Sequence, residues 1–133
     1  MRMLDAYEKG FISAFIDTDG SICLNKVKNR KTPQIAVYFS NNSIELLEKV
    51  RDMIGLDRPL IHHKGTKNYS LRYFNKKASE LLKQVELVVK EKRRKAALEL
   101  ADYLESQGGR KMNQHTKPKG FDEKVRDIVE SFY

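Results

Sequence analysis

The sequence offers little that could cross-link the chain or place it in a membrane. Cys23 is the single cysteine among 133 residues, so an intrachain disulfide is impossible and a reducing intracellular compartment, the cytoplasm or an organelle, is expected. No apolar run is long enough to span a bilayer, and no signal-peptide core is recognisable, so no membrane association is expected. The three histidines, His62, His63 and His115, lack metal-ligand spacing, which argues against a zinc site.

Acidic residues are also in deficit. Lys and Arg total 26 against 18 Asp and Glu, which gives a formal net charge of +8. This excess favours a polyanionic partner, nucleic acid before membrane, although a purely solubilising charge is the alternative. At this length we expect one domain over residues 1–133, with a core over about 6–104 and a basic loop and C-terminal helix over 107–133.

Hydrophobic periodicity predicts nine elements in the order α-β-β-α-β-β-α-α-α. The predicted helices cover about residues 6–16, 42–54, 77–84, 90–104 and 121–132, and the predicted strands cover 21–27, 34–40, 60–64 and 69–74. Asn42 is predicted to begin the second helix, with Glu45 completing a capping box, and Gly55 is predicted to end it. The order predicts an α+β fold in which helices cover one face of a four-stranded antiparallel sheet and leave the other face open.

Strand alternation predicts what the open face carries. Ile61 is expected to point inward with Leu71 and Tyr73, while His62 and Lys64 point outward; a register shift of one residue would exchange His62 and His63. The open face would then mix amides, hydroxyls, rings and basic groups, which suits base edges in a groove, although an ordinary solvated face is the alternative. The candidate groove contacts are Asn25, Asn29, Gln34, Tyr38, His62, Lys64, Ser70 and Arg72.

An apolar helical run, ISAFIDTDG over residues 12–20, ends in two acids, Asp17 and Asp19. The helix macrodipole already places negative charge there, so a divalent cation is an obvious way to offset the carboxylates. An EF-hand loop does not fit, because Gly20 follows Asp17 too closely and Lys28 stands where that loop needs Glu. A purely local role in the turn is expected for Asp17 but not for Asp19.

This nonapeptide resembles the motif of the LAGLIDADG homing endonucleases, which it matches at Ile16, Asp17, Asp19 and Gly20. The element order, the open polar sheet and the basic charge fit the family over about residues 6–104. The single motif copy implies a homodimer whose sheets form a DNA-binding saddle. The resemblance implies a site-specific endonuclease, encoded in a mobile intron, that makes a double-strand break dependent on Mg²⁺ (or Mn²⁺) at a long, roughly palindromic target. A non-cleaving DNA-binding regulator, or a maturase acting on intron RNA, is the alternative.

The resemblance also implies roles for residues of the motif helix. Asp19 and the backbone carbonyl of Thr18 would be the protein ligands of the metal. Asp17 would brace the helix end at the dimer interface. Gly10 and Ala14, small residues one turn apart, would allow the motif helices of two subunits to pack closely.

Further roles fall on the rest of the chain. Lys92 aligns with the active-site lysine of the family, whereas its neighbours Lys90, Arg93, Arg94 and Lys95 are expected only to bind backbone phosphate. Asn41 falls where members position a water molecule, and an Asx turn before the helix is its equal alternative. Residues 110–120 are interpreted as a phosphate-binding loop, with a disordered linker as the alternative; its basic residues are Arg110, Lys111, Lys117 and Lys119.

Overall fold

A computed structural model of the chain describes residues 1–28, 32–107 and 120–133. The helices are α1 (Ala6–Thr18), α2 (Ile44–Ile54), α3 (Asn75–Gln84), α4 (Glu91–Ser106) and α5 (Phe121–Phe132), and the strands are β1 (Gly20–Asn25), β2 (Gln34–Asn41), β3 (Ile61–His62) and β4 (Tyr69–Phe74). The predicted order of elements is confirmed. None of the helices in these parts of the chain combines the length and hydropathy that crossing a bilayer requires.

The strands form one antiparallel sheet in the order β1-β2-β4-β3. Two hairpins are joined at the centre, where Val37 of β2 pairs with Tyr73 of β4. The predicted α+β fold with a four-stranded antiparallel sheet is therefore confirmed. Strands far apart in the chain meet in the middle of the sheet, so the two hairpins depend on each other for their hydrophobic face.

The core lies between the sheet and the helices. Ile22, Val37, Phe39 and Leu71 are completely buried on the inner face of the sheet. The Phe39 ring lies edge-on to Phe15 of α1, with 5.3 Å between ring centroids. Burial of each such side chain stabilises the fold by about 1.5–3 kcal/mol, which explains why the inward alternation in β1, β2 and β4 follows the prediction.

The ends of two helices differ from the predictions. At α1 a capping box forms that the sequence analysis missed: Glu8 N–H donates to the Asp5 carboxylate, and the Glu8 carboxylate accepts from Asp5 N–H. At α2 the predicted cap at Asn42 is wrong, because Ser43 is the N-cap and accepts from Leu46 N–H. Gly55 does end α2 in the left-handed conformation, with φ 76°.

The predicted facing of β3 is wrong. The strand has two residues, and its register pairs Ile61 with Ser70 and His62 with Tyr69. Paired residues share a face of the sheet, so Ile61 lies with Ser70 on the open face. His62 lies with Tyr69 on the opposite, inner face. The reason is the turn, which begins at His63 and brings Thr66 N–H to the His63 carbonyl at 3.0 Å. Lys64 therefore lies in a turn and not in the strand.

Candidate metal centre and nucleic-acid interface

The C-terminal end of α1 presents one unengaged acid. Asp19 caps the helix, and its backbone N–H donates to the Phe15 carbonyl at 2.9 Å. Its side chain is exposed and has no hydrogen bond or ion pair to another described residue. The next residue must be glycine, because a Cβ on Gly20 would lie 2.7 Å from the Ile16 Cα and 3.1 Å from the Tyr38 carbonyl. This close approach fixes where the helix turns into β1 and hence where Asp19 stands.

The other acid of the motif is fully engaged. The Asp17 carboxylate accepts backbone N–H groups from Val88, Val89 and Lys90 at 2.7, 3.1 and 3.0 Å. Desolvation opposes its ionisation, but these donors and the nearby Lys90 charge together lower the pKa of Asp17 below its usual value. Asp17 therefore acts within the chain as an ionised brace for the segment that leads into α4.

Lys90 reaches back to the same helix end. Its ammonium donates to the carbonyls of Ile16, Gly20 and Asp17 at 2.6, 2.8 and 3.2 Å. A cation is favourable at a helix C-terminus, and α1 has no basic residue in its own last turn. Lys90 was expected only to bind backbone phosphate, whereas in this structure carbonyls of the chain itself take its three donors.

Arg94 is the second residue of the basic run that serves the fold. Its guanidinium donates to the Leu82 carbonyl at 2.8 Å and to the Glu91 carboxylate at 2.7 Å. These two bonds tie the first turn of α4 to α3. Arg94 was expected only to bind backbone phosphate, and these bonds give it a structural role that the sequence did not predict.

Lys92 and Asn41, the other candidate catalytic residues, both have contacts within the chain. Lys92 is exposed on the first turn of α4, and its ammonium donates to the backbone carbonyl of Tyr133 at 3.2 Å. The Asn41 side-chain oxygen accepts from Ser43 N–H at 2.9 Å, which is the Asx turn that the sequence left as one of two alternatives. The Asn41 amide nitrogen has no hydrogen-bond partner among the described residues.

The described side chains of this chain do not form a complete metal site. Among residues 1–28, 32–107 and 120–133, no group of three or more His, Cys, Asp or Glu could hold an ion. Asp17 is occupied by its three backbone donors, so Asp19 is the acid of the motif that remains available. A carboxylate and a backbone carbonyl are hard oxygen donors of the kind that Mg²⁺ takes together with waters and phosphate oxygens. The available donors fit part of such a site.

One face of α1 is open to solvent. Gly10 and Ala14 are exposed, and no atom lies within 4 Å of where a Gly10 Cβ would stand. Tyr7 is 63% exposed on the same helix. Val88 and Val89, whose N–H groups bind Asp17 of the same helix, are 88% and 75% exposed. Nothing within the described chain explains why small and apolar side chains face solvent here.

The open face of the sheet centres on Tyr38. Its hydroxyl accepts from the Asn25 amide at 2.8 Å, and the Arg72 guanidinium lies 5.0 Å from its ring centroid. Ser70 is 1% exposed and accepts from Arg72 Nε at 2.9 Å, so Ser70 orients Arg72 and is not itself open to a ligand. None of the four strands contains an acidic residue. The face is therefore polar, aromatic and free of negative side chains.

The predicted groove contacts are only partly brought together. Asn25, Gln34, Tyr38 and Arg72 share the open face, as the register requires. His62 instead lies beside the Tyr69 ring, with 4.8 Å between centroids. Several predicted residues lie outside the described parts of the chain: Asn29, Arg110, Lys111, His115, Lys117 and Lys119.

Two residues of this face were missed. Phe74 pairs with Ala36 and lies edge-on to Tyr38, with centroids 6.1 Å apart. Arg58, from the loop before β3, donates to the Arg72 carbonyl at 3.1 Å and lies 5.6 Å from the Phe74 ring centroid. The alternation of β4, continued by two residues from Arg72, would have placed Phe74 on the open face. No local pattern marks Arg58, because a loop brings it to the sheet.

Solved structures with a similar fold are homing endonucleases. I-TnaI is 15% identical with a TM-score of 0.63, and the match covers 99% of this chain and 100% of that one. I-CvuI, solved with its target in the presence of Ca, is 12% identical with a TM-score of 0.59 and coverages of 96% and 98%. I-LtrWI, bound to target DNA, is 14% identical with a TM-score of 0.74; the match covers 96% of this chain but 45% of that one. At these identities the fold is what is shared.

The sequence comparisons gave a match to a family but none to an individual curated protein. The search of curated proteins found no match. The family model for the LAGLIDADG-like domain matches residues 6–129, which confirms the resemblance carried by residues 12–20. Because that match spans nearly the whole sequence, the chain belongs to the LAGLIDADG-like family.

Proposed function

We propose that this protein is a homodimeric, site-specific DNA endonuclease that cleaves both strands of a long, roughly palindromic target with Mg²⁺ or Mn²⁺. The single observation that carries the proposal is the state of Asp19. Its carboxylate lies at the turn that Gly20 makes possible, is exposed, and has no partner among the described residues. Negative charge is unfavourable at a helix C-terminus, and the Lys90 ammonium binds carbonyls there but not the Asp19 carboxylate, which is left available to a divalent cation.

The sheet supports duplex DNA as the substrate. Tyr38, Arg72 and Asn25 present a ring, a guanidinium and an amide on a face without acids. Such groups supply both base-edge hydrogen bonds and phosphate contacts. The relatives I-CvuI and I-LtrWI were solved on their DNA targets, which supports this assignment of the open face.

The metal would be held by the Asp19 carboxylate and the Thr18 carbonyl, with DNA oxygens completing the set. When bound, the ion would polarise the scissile phosphate and stabilise the leaving oxygen. Lys92 would exchange its bond to the Tyr133 carbonyl for a phosphate oxygen and stabilise its developing charge. Asn41, whose amide nitrogen is unengaged among the described residues, would orient a water molecule at the edge of the site.

Dimerisation is supported by the open face of α1. Gly10 and Ala14 allow a second helix to approach closely, and their exposure in one subunit leaves that surface available. A two-fold axis along this face would place the two copies of Asp19 side by side. Each subunit would then supply the part of the metal site that the other lacks.

The decisive experiment selects cleaved duplexes from a randomised library in the presence of Mg²⁺ and then compares variants on the selected duplex. Asp19→Asn should lower the cleavage rate at least about 100-fold, because several kcal/mol of metal-dependent stabilisation is lost. The dissociation constant for the duplex should stay close to that of the wild type. Asp52→Asn, an exposed acid on α2, is the matched control and should cleave normally.

Each outcome separates the proposed function from its alternatives. Cleavage by Asp19→Asn near the wild-type rate would refute the metal assignment. A wild type that binds the duplex tightly but never cuts it would favour the regulator or the maturase. A wild type with no affinity for any duplex at low salt would exclude both the endonuclease and the DNA-binding regulator.

A further inference from the structure

The segment over residues 86–90, which connects α3 to α4, is hydrogen-bonded along the second half of α1. Glu86 N–H donates to the Ser13 hydroxyl at 3.3 Å. The Asp17 carboxylate binds the N–H groups of residues 88–90, and the Lys90 ammonium returns to carbonyls of α1 and β1. We call the reciprocal pair of Asp17 and Lys90 the clamp. No catalytic step proposed above uses it.

The clamp matches the chemistry of a lysine. An ammonium group has three donors in a compact arrangement, and here three carbonyls receive them. The planar guanidinium of arginine cannot donate from a single nitrogen to three surrounding carbonyls in this way. Lys90 is also only partly exposed, so its charge is less screened by solvent than that of Lys95.

The three carbonyls that accept from Lys90 belong to residues that flank the proposed metal ligands along the chain. Ile16 and Asp17 precede Thr18 and Asp19, and Gly20 follows them. The clamp therefore fixes peptide groups on both sides of a two-residue turn. It also ties that turn to the first turn of α4, where Lys92 stands.

We infer that Lys90 is a positioning residue: it holds the turn of Thr18 and Asp19 in the geometry required to bind the metal, and keeps that turn in register with Lys92. The inference rests on the proposed function for its metal, but the clamp itself is a property of the chain. Binding and catalytic groups must be held to within about 0.5 Å to act together. Loss of groups that orient metal ligands commonly costs about 10–100-fold in metal affinity or activity.

The test compares Lys90→Met, Lys90→Arg and the control Lys95→Met. Lys95 lies on the same helix, is exposed, and has no hydrogen bond or ion pair to a described residue. Amide hydrogen exchange of the free protein is measured by mass spectrometry. Lys90→Met should speed exchange in peptides covering residues 15–20 and 86–92, with α2 unchanged, whereas Lys95→Met should leave all three regions unchanged.

The second measurement is the Mg²⁺ concentration that gives half the maximal cleavage rate on the selected duplex. Lys90→Met should raise it about tenfold or more, while affinity for the duplex in EDTA changes no more than for Lys95→Met. Lys90→Arg keeps the charge and the stem but not the donor geometry. It should raise the Mg²⁺ requirement as well, and it remains informative if Lys90→Met does not fold.

Three results would overturn the inference. One is an unchanged Mg²⁺ requirement in both Lys90 variants. Another is an equal effect of Lys95→Met, which would mean that charge alone matters. The third is exchange that quickens uniformly over the protein, which would indicate general loss of stability. If the wild type cleaves no duplex, the proposed function fails, and unchanged exchange at residues 15–20 would separately disprove the clamp.

Discussion

The two acids of the motif helix, two residues apart, have opposite environments. Three backbone N–H groups and the Lys90 charge stabilise the ionised form of Asp17. Asp19 has no such partners among the described residues. The local role expected for Asp17 agrees with these contacts within the chain, whereas the metal-binding role expected for Asp19 stays a prediction.

Gly20 gives the sharpest prediction at the level of single residues. In Gly20→Ala the new Cβ would stand 2.7 Å from the Ile16 Cα, so the backbone must shift. We expect a loss of about 1–3 kcal/mol in the free energy of unfolding, measured by urea denaturation. Asp19→Ala, at the adjacent exposed position, is the control and should stay within about 0.5 kcal/mol of the wild type. Equal stability of the two variants would contradict the steric argument.

Among the elements, α1 has one face that is buried against the sheet and one face that is exposed to solvent. Ile12, Phe15 and Ile16 are buried on one side, and their burial against the sheet fixes the helix in place. Gly10 and Ala14 lie exposed on the other. Glycine inside a helix costs about 1 kcal/mol relative to alanine, and no atom of the described residues lies within 4 Å of where a Gly10 Cβ would stand. A partner helix would provide the reason for its presence.

We therefore predict that Gly10→Leu separates the subunits without unfolding them. The leucine side chain would prevent close approach of two helices, whereas it meets no atom within 4 Å at its Cβ in the single chain. Light scattering should show a dimer for the wild type and a monomer for the variant, with an unchanged circular dichroism spectrum. Lys77→Leu adds the same side chain at an exposed site on α3 and should remain dimeric. A monomeric wild type would argue against the whole arrangement.

At the scale of the whole molecule, charge and layer structure work together. The net charge is +8, and the helices occupy the inner side of the sheet, so the open side is left for a polyanion. Lys26 and Lys28 are exposed where the first hairpin extends from β1. Lys83 and Lys124 instead lie in the helical layer, where they pair with Asp102 and Glu99 at 3.7 and 3.5 Å.

This distribution predicts which lysines set the salt dependence of DNA binding. The double variant Lys26→Gln, Lys28→Gln should lower the slope of log affinity against log salt by about 0.9 for each DNA phosphate that the protein no longer neutralises. The double variant Lys83→Gln, Lys124→Gln removes the same charge from the helical layer and should leave the slope nearly unchanged. Fluorescence anisotropy with a random duplex measures both. Equal changes would show that net charge, and not the position of the lysines, governs binding.

Local patterns were sufficient for much of the fold. The limits of β4 and α5 follow from alternation and helical periodicity, and Gly55 marks a helix end by its conformational freedom. The facing of β3 could not be read in the same way. A strand of two residues has almost no alternation, so the turn at His63 sets its register.

The order of elements, the inward face of the long strands and the acidic turn after the motif helix follow from local sequence, because each depends on side chains close together in the chain. Three other features emerge only in the folded chain: Lys90 binds carbonyls of α1, Arg58 joins the open face, and Ser70 is buried and accepts from Arg72. Those roles depend on contacts between segments distant in sequence or on the packing around a residue. Such contacts form when hydrophobic burial brings separate elements together, and local sequence does not encode them.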